Sequence, residues 1–78
     1  MKVAMVSGGG RGLGAAITRR LLDDGWAVSL GLRDLGQAGA FGAPEDRLAA
    51  FAFDATDPAT AAPWVAGTVA CFGRLDAL

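Results

Sequence analysis

The sequence contains no histidine and a single cysteine, Cys71. A Cys/His zinc site is therefore excluded, and so is an internal disulfide. Charge of one sign is also scarce. Seven Lys and Arg stand against eight Asp and Glu, a net charge of -1. The arginines are interleaved with acidic residues along the chain, so no basic stripe forms and no nucleic-acid partner is expected. Long hydrophobic runs are missing too. The apolar stretch Val3 to Val6 runs straight into glycines, too short for a signal-peptide core or a membrane span. No membrane partner is expected, and the expected setting is the cytoplasm.

Apolar residues and glycine are what the chain has in quantity: 53% hydrophobic, with 12 glycines in 78 residues. That length allows one small domain at most. The order of elements is legible. Val3 to Val6 is a short apolar, β-branched run, as expected for a strand buried on both faces. Gly12 to Leu22 changes to helical spacing, with Leu13, Ile17 and Leu21 four apart, Ala16 beside them, and Gly25 as the stop. Trp26 to Leu32 is a second strand, weakened by Ser29 and Gly31. A short, frayed helix is expected around Asp34 to Ala40, then a loop. Leu48 to Phe53 is the third strand. Asp57-Pro58 then starts a helix toward Phe72 with Trp64, Val65, Thr68, Val69 and Phe72 on a mixed apolar face. Pro63 conflicts with an unbroken helix; either the helix bends there or its regular part begins near it. Gly73 stops it, and Leu75 to Leu78 opens a fourth strand. This alternation predicts an α/β fold, a partial Rossmann-type doubly wound parallel sheet that starts β-α-β-α-β-α-β. Trp26, Trp64, Phe51, Phe53 and Phe72 are expected in the core or an interface. Cys71 is expected to be a small buried apolar residue.

The feature with chemical content is the turn Ser7-Gly8-Gly9-Gly10-Arg11-Gly12-Leu13-Gly14, between the first strand and the first helix. Glycines there permit positive φ and let the backbone approach a ligand. The free amides and positive end of the helix suit a pyrophosphate. Gly14, on the helix, allows close packing. The spacing of Gly8, Gly12 and Gly14 is wider than Gly-x-Gly-x-x-Gly, and the Gly-Lys-Ser/Thr ending of an ATP or GTP loop is absent. A merely tight strand-to-helix turn is the alternative. Ser7 is suited to tying the turn down through its hydroxyl; with no histidine to activate it, it is not a nucleophile. Arg33 lies just past the second strand, where an NAD site would place a carboxylate. An arginine there suits the 2′-phosphate of NADP, and Arg11 can close on the same phosphate, which favours NADP over NAD. Both arginines as solvated surface charges is the other reading. Asp54 ends the third strand, where it can accept from an adenine amino group while the Ala55 amide meets a ring nitrogen. A simple loop cap is its alternative role.

These segments together resemble the N-terminal part of a short-chain dehydrogenase/reductase. Ser7 to Gly14 is similar to that family's Thr-Gly-x-x-x-Gly-x-Gly turn, with Ser for Thr. Asp54 matches its adenine-contacting aspartate, and Phe72-Gly73-Arg74-Leu75-Asp76 resembles the approach to its fourth strand. The resemblance implies an oxidoreductase that moves hydride between NADP and a carbonyl or alcohol, on a small-molecule substrate, as a homo-oligomer when full length. In the family a serine steadies the substrate oxygen, a tyrosine exchanges the proton and a lysine lowers the tyrosine pKa. This chain has no tyrosine, and its one lysine is Lys2. The expectation is that residues 1–78 are the N-terminal part of a dinucleotide-binding domain, incomplete by themselves and without catalytic residues. A stand-alone nucleotide-binding module or truncated relic is the alternative.

Overall fold

The computed structural model describes residues 2–8, 12–33, 35, 41 and 46–77. Three parallel strands form one sheet: β1 (Val3–Ser7), β2 (Ala27–Leu32) and β3 (Leu48–Ala52), in the spatial order β1-β2-β3. The registers run from Val3 opposite Ala27 and from Val28 opposite Leu48. Helix α1 (Gly12–Asp23) joins β1 to β2, and α2 (Ala61–Phe72) follows β3. The fold is α/β and matches a partial Rossmann sheet. The short helix expected over Asp34 to Ala40 falls, but for Leu35, outside the described residues.

β2 is buried along its whole length because a helix covers each of its faces. Alternate strand residues point to opposite sides. Val28, Leu30 and Leu32 form the core on the α1 side, where Leu21, Leu22, Phe41 and Leu48 pack against them. Ser29 and Gly31 face α2. The two residues that weaken β2 as a strand are thus the two that receive this helix. Ser29 bonds to Thr68 and Trp64, and a Cβ on Gly31 would come within 2.7 Å of the Trp64 ring.

The apolar stripe expected on α1 is corrected. Leu13 is 78% and Ile17 43% exposed, and Ala16 is exposed as well. Thr18 is the buried residue, with Leu21 and Leu22 half-buried. A threonine can take that place because its hydroxyl donates to the Gly14 carbonyl at 2.8 Å. The helix then ends as expected at Gly25, whose φ of +90° closes a Schellman turn: Gly25 N–H donates to the Leu22 carbonyl and Trp26 N–H to that of Leu21.

Pro63 causes no break. A 3-10 turn, Pro58–Thr60, precedes α2, capped by the Asp57 side chain, which accepts from the Ala59 amide. Pro63 therefore sits in the first turn of the α-helix proper, where its missing N–H has no partner to lose. The residues of α2 buried against the sheet are Trp64 and Thr68, while Val65 and Val69 are exposed. Cys71 is also exposed, against expectation. It lies on the last turn, past the Ser29–Thr68 contact that seats the helix.

The segment after α2 returns to β1. Ala77 pairs in parallel with Ala4, and its carbonyl accepts from the Met5 amide at 2.9 Å. Val3 and Met5 bond to this segment, while the Lys2 carbonyl and the Gly8 amide bond to the β2 segment. Ala77 is therefore on the edge of β1 away from β2. The chain builds outward from β1 to β3 and then crosses back, so the winding direction reverses beside β1. In sheets of this kind, ligands bind beyond the strand C-termini at such a reversal.

Candidate functional site

Every expected site residue that the structure describes lies at that C-terminal edge. Ser7 closes β1. Gly8 follows with φ +65°, and its amide still donates to the Gly31 carbonyl at 2.9 Å. Gly12 opens α1 with φ +62°. These angles cost an L-residue about 1–2 kcal/mol, which is the reason for glycine at both positions. A Cβ at either would meet no atom within 4 Å, so the space beside this backbone is open. The first turn of α1 carries no acidic residue, leaving its positive end unneutralised. Leu13 projects from that turn, exposed, and Gly14 is half-buried behind it. Gly10 and Arg11 lie outside the described residues.

Two adjoining clefts open along this edge. One, of about 210 Å³, is lined by Ser7, Gly8, Gly31, Arg33, Phe53 and Ala55. The other, of about 320 Å³, is lined by Leu32, Arg33, Ala52, Phe53, Asp54 and Thr60. Arg33 and Phe53 form the wall they share. The fold thus brings together residues from the ends of all three strands: Ser7 and Gly8, Arg33, and Asp54 with Ala55.

Asp54 organises its own loop. One carboxylate oxygen accepts from the Thr56 amide at 2.9 Å and from the Thr56 hydroxyl at 2.7 Å. Its backbone amide donates to the Thr60 hydroxyl. The other carboxylate oxygen faces Arg33 Nε at 3.9 Å. The hydrogen bonds from Thr56, hydroxyl first and amide second, hold the Asp54 carboxyl below its usual range, and Arg33 adds a smaller electrostatic pull. Arg33 itself is 79% exposed on its side chain, and among the described residues it has this one long contact, to Asp54. An exposed pair at that distance contributes little to stability.

Sequence reasoning missed Phe53 and Gly31 as lining residues. Phe53 was assigned to the core, and it does stack on Trp64, with ring centroids 4.6 Å apart. Its position between the end of β3 and Asp54 is the signal, because a residue leaving a strand lies on the same edge as the loop that follows. Arg47 was missed in a different way. It looks like one more interleaved charge, but its guanidinium donates to the carbonyl of Leu22, in the last turn of α1, and to that of Trp26, just before β2.

Comparison with known proteins agrees with this geometry. The family described as short chain dehydrogenase matches residues 2–78. A curated relative, agropine synthesis reductase of Rhizobium rhizogenes, is 42% identical over 77 residues, covering 97% of this chain and 18% of the relative. The N-domain of a bacterial malonyl-CoA reductase, solved with NADP, superposes with a TM-score of 0.85 at 34% identity, over 96% of this chain and 15% of that one. A 3-ketoacyl-(acyl-carrier-protein) reductase from Brucella melitensis, complexed with NADH, gives 0.86 at 30% identity, over 96% and 31%. The chain spans about a fifth of its curated relative and a third or less of these structures. With that family matched over residues 2–78 of this chain, the chain belongs to the short-chain dehydrogenase family.

Proposed function

We propose that the C-terminal edge of the sheet binds NADP(H), as the cofactor-binding part of an oxidoreductase. The observation that carries this reading is the convergence of Gly8, Arg33 and Ala55, from three strand ends, on one cleft beside the start of α1. The residues fit such a group. The glycine turn (Ser7, Gly8, Gly10, Gly12) and the first amides of α1 would take the pyrophosphate, since backbone N–H groups and an unneutralised helix end suit an anion. Gly14 in that first turn keeps the helix close. Leu13, exposed beside the turn, would offer an apolar contact to a ring. Arg33, with Arg11, would hold the 2′-phosphate, because a guanidinium forms strong charge-assisted bonds to phosphate. Asp54 and the Ala55 amide would meet the adenine edge. Solved relatives hold either NADP or NADH, so the choice between the two rests on Arg33.

A nicotinamide cofactor supplies hydride transfer, here between itself and a small carbonyl or alcohol substrate. This chain's residues bind and orient the cofactor. The proton on the substrate oxygen needs a group of another kind, since the chain has no tyrosine and one lysine, Lys2. We therefore read residues 1–78 as the N-terminal part of a longer dinucleotide-binding domain, in a protein that acts as a homo-oligomer. The test is a titration with NADPH and with NADH, on wild type and Arg33→Ala. NADPH binding is expected to weaken about ten- to a hundredfold, the worth of a charge-assisted bond, with NADH nearly unchanged. Equal NADPH affinity in both proteins would remove the basis for NADP.

A further inference from the structure

Behind the cleft wall lies a buried polar circuit that the cofactor reading does not use. Trp64, on α2, is 4% exposed, and Ser29 and Thr68 are fully buried. The Thr68 hydroxyl donates to the Trp64 carbonyl at 2.8 Å. Its proton is then spent, so in the 2.7 Å contact between the two hydroxyls Ser29 is the donor. The Ser29 oxygen in turn accepts from Trp64 Nε1 at 2.9 Å. The circuit starts on the indole and ends on the backbone carbonyl of the same residue. It ties the side chain of Trp64 to its own helix through the central strand. One orientation of the ring satisfies every member, and any other would leave a buried donor without a partner.

That orientation has a consequence at the cleft. The indole fills the space over Gly31, so closely that a Cβ there would lie 2.7 Å from a ring carbon and 2.9 Å from the Phe53 Cβ. The same ring stacks on Phe53 at 4.6 Å with a tilt of 43°. Gly31 and Phe53 both line the cleft that also holds Gly8 and Arg33. We propose that Trp64 is a positioning residue of the nucleotide cleft: held by Ser29, its indole sets the ring of Phe53 in the wall and keeps the floor at Gly31 flush. This rests on the nucleotide reading above. Trp64 touches no ligand itself and acts through Phe53.

The experiment measures NADPH binding by calorimetry in the protein that carries this chain, at a temperature where circular dichroism shows each variant folded. Trp64→Phe keeps an aromatic ring and removes the Nε1 donor. Ser29→Ala removes the acceptor and leaves the helix sequence intact, so it serves if the first variant fails to fold. Each is expected to raise the NADPH dissociation constant about fivefold, the worth of one net hydrogen bond. Arg47→Ala, at the opposite edge, lowers stability and is expected to leave that constant unchanged. Unchanged affinity in the folded Ser29 and Trp64 variants overturns the positioning role while the cofactor reading stands. An equal loss in Arg47→Ala also overturns it, since that is general destabilisation. Wild type that binds neither NADPH nor NADH overturns the cofactor reading and this role with it.

Discussion

The two edges of the sheet treat charge in opposite ways. At the N-terminal edge, charged side chains are engaged with backbone. The Arg47 guanidinium donates to the Trp26 carbonyl before β2 and to the Leu22 carbonyl in the last turn of α1, where a cation also suits the negative end of the helix. The Asp76 carboxylate accepts from the Val3 amide at 2.8 Å and pairs with both nitrogens that Arg74 offers. At the C-terminal edge the backbone is left open. Gly8 and Gly12 have nothing beside them, α1 starts without an acid, and among the described residues Arg33 has one long contact. An edge whose charges are satisfied internally holds the chain together. An edge whose described residues leave backbone open and a cation with one long contact is where the proposed cofactor would bring the complementary anion.

This contrast can be broken at either edge. The largest expected effect on stability is that of Arg47→Ala. It strips two carbonyls of a charged donor and should cost about 2–3 kcal/mol in urea denaturation, with nucleotide binding unmoved. Gly8→Ala comes next. Forcing a Cβ onto a φ of +65° should cost about 1–2 kcal/mol and weaken NADPH binding more than it lowers stability, since the proposed cofactor would approach that backbone. If Gly8→Ala binds NADPH normally, the open edge is not a phosphate site.

Acid titration is a gentler test of the closed edge. The Asp76 carboxyl is held below its usual range, first by the hydrogen bond from Arg74 and then by that from the Val3 amide. A carboxyl lowered in the folded state stabilises the fold fully above its ordinary pKa, about 3.9, and that stability is lost as pH falls through the lower folded value. Stability should therefore decline below about pH 4, and Asp76→Asn should flatten that decline. An identical acid profile in the variant would detach Asp76 from the edge. The smallest expected effect is that of Arg33→Ala on stability, within about 0.5 kcal/mol in the same denaturation assay. A larger loss would mean that Arg33 is a structural cation like Arg47, and the contrast between the edges would fail.

How far the sequence could be read depended on whether the deciding interaction was local. Gly25 and Gly73 were legible as stops because a positive φ after a helix is a need of the backbone itself. Asp57-Pro58 was legible as a start for the same reason, although the turn it opens is 3-10 and the α-helix begins at Ala61. The buried face of α1 was misread. Leu13 and Ile17 fit helical spacing as well as any core residues, and their exposure follows from which side of the helix meets the sheet, a matter settled across the chain. Cys71 was misplaced for the same reason.

The site divides in the same way. Short-range pattern was enough to establish the α/β alternation, the glycine turn between strand and helix, and the residues at the strand ends. Each of these follows from backbone conformations and periodicities set within a few residues. It could not reveal that Ser29 and Gly31, poor strand formers, are the seat of Trp64, or that Phe53 is wall as well as core. Nor could it separate Arg47 from Arg33, two arginines near strand ends with opposite fates. Those outcomes depend on which atoms meet once two helices close on opposite faces of β2, where a hydroxyl, a missing Cβ or a carbonyl at the right distance decides whether a side chain is spent on the fold or left for a ligand.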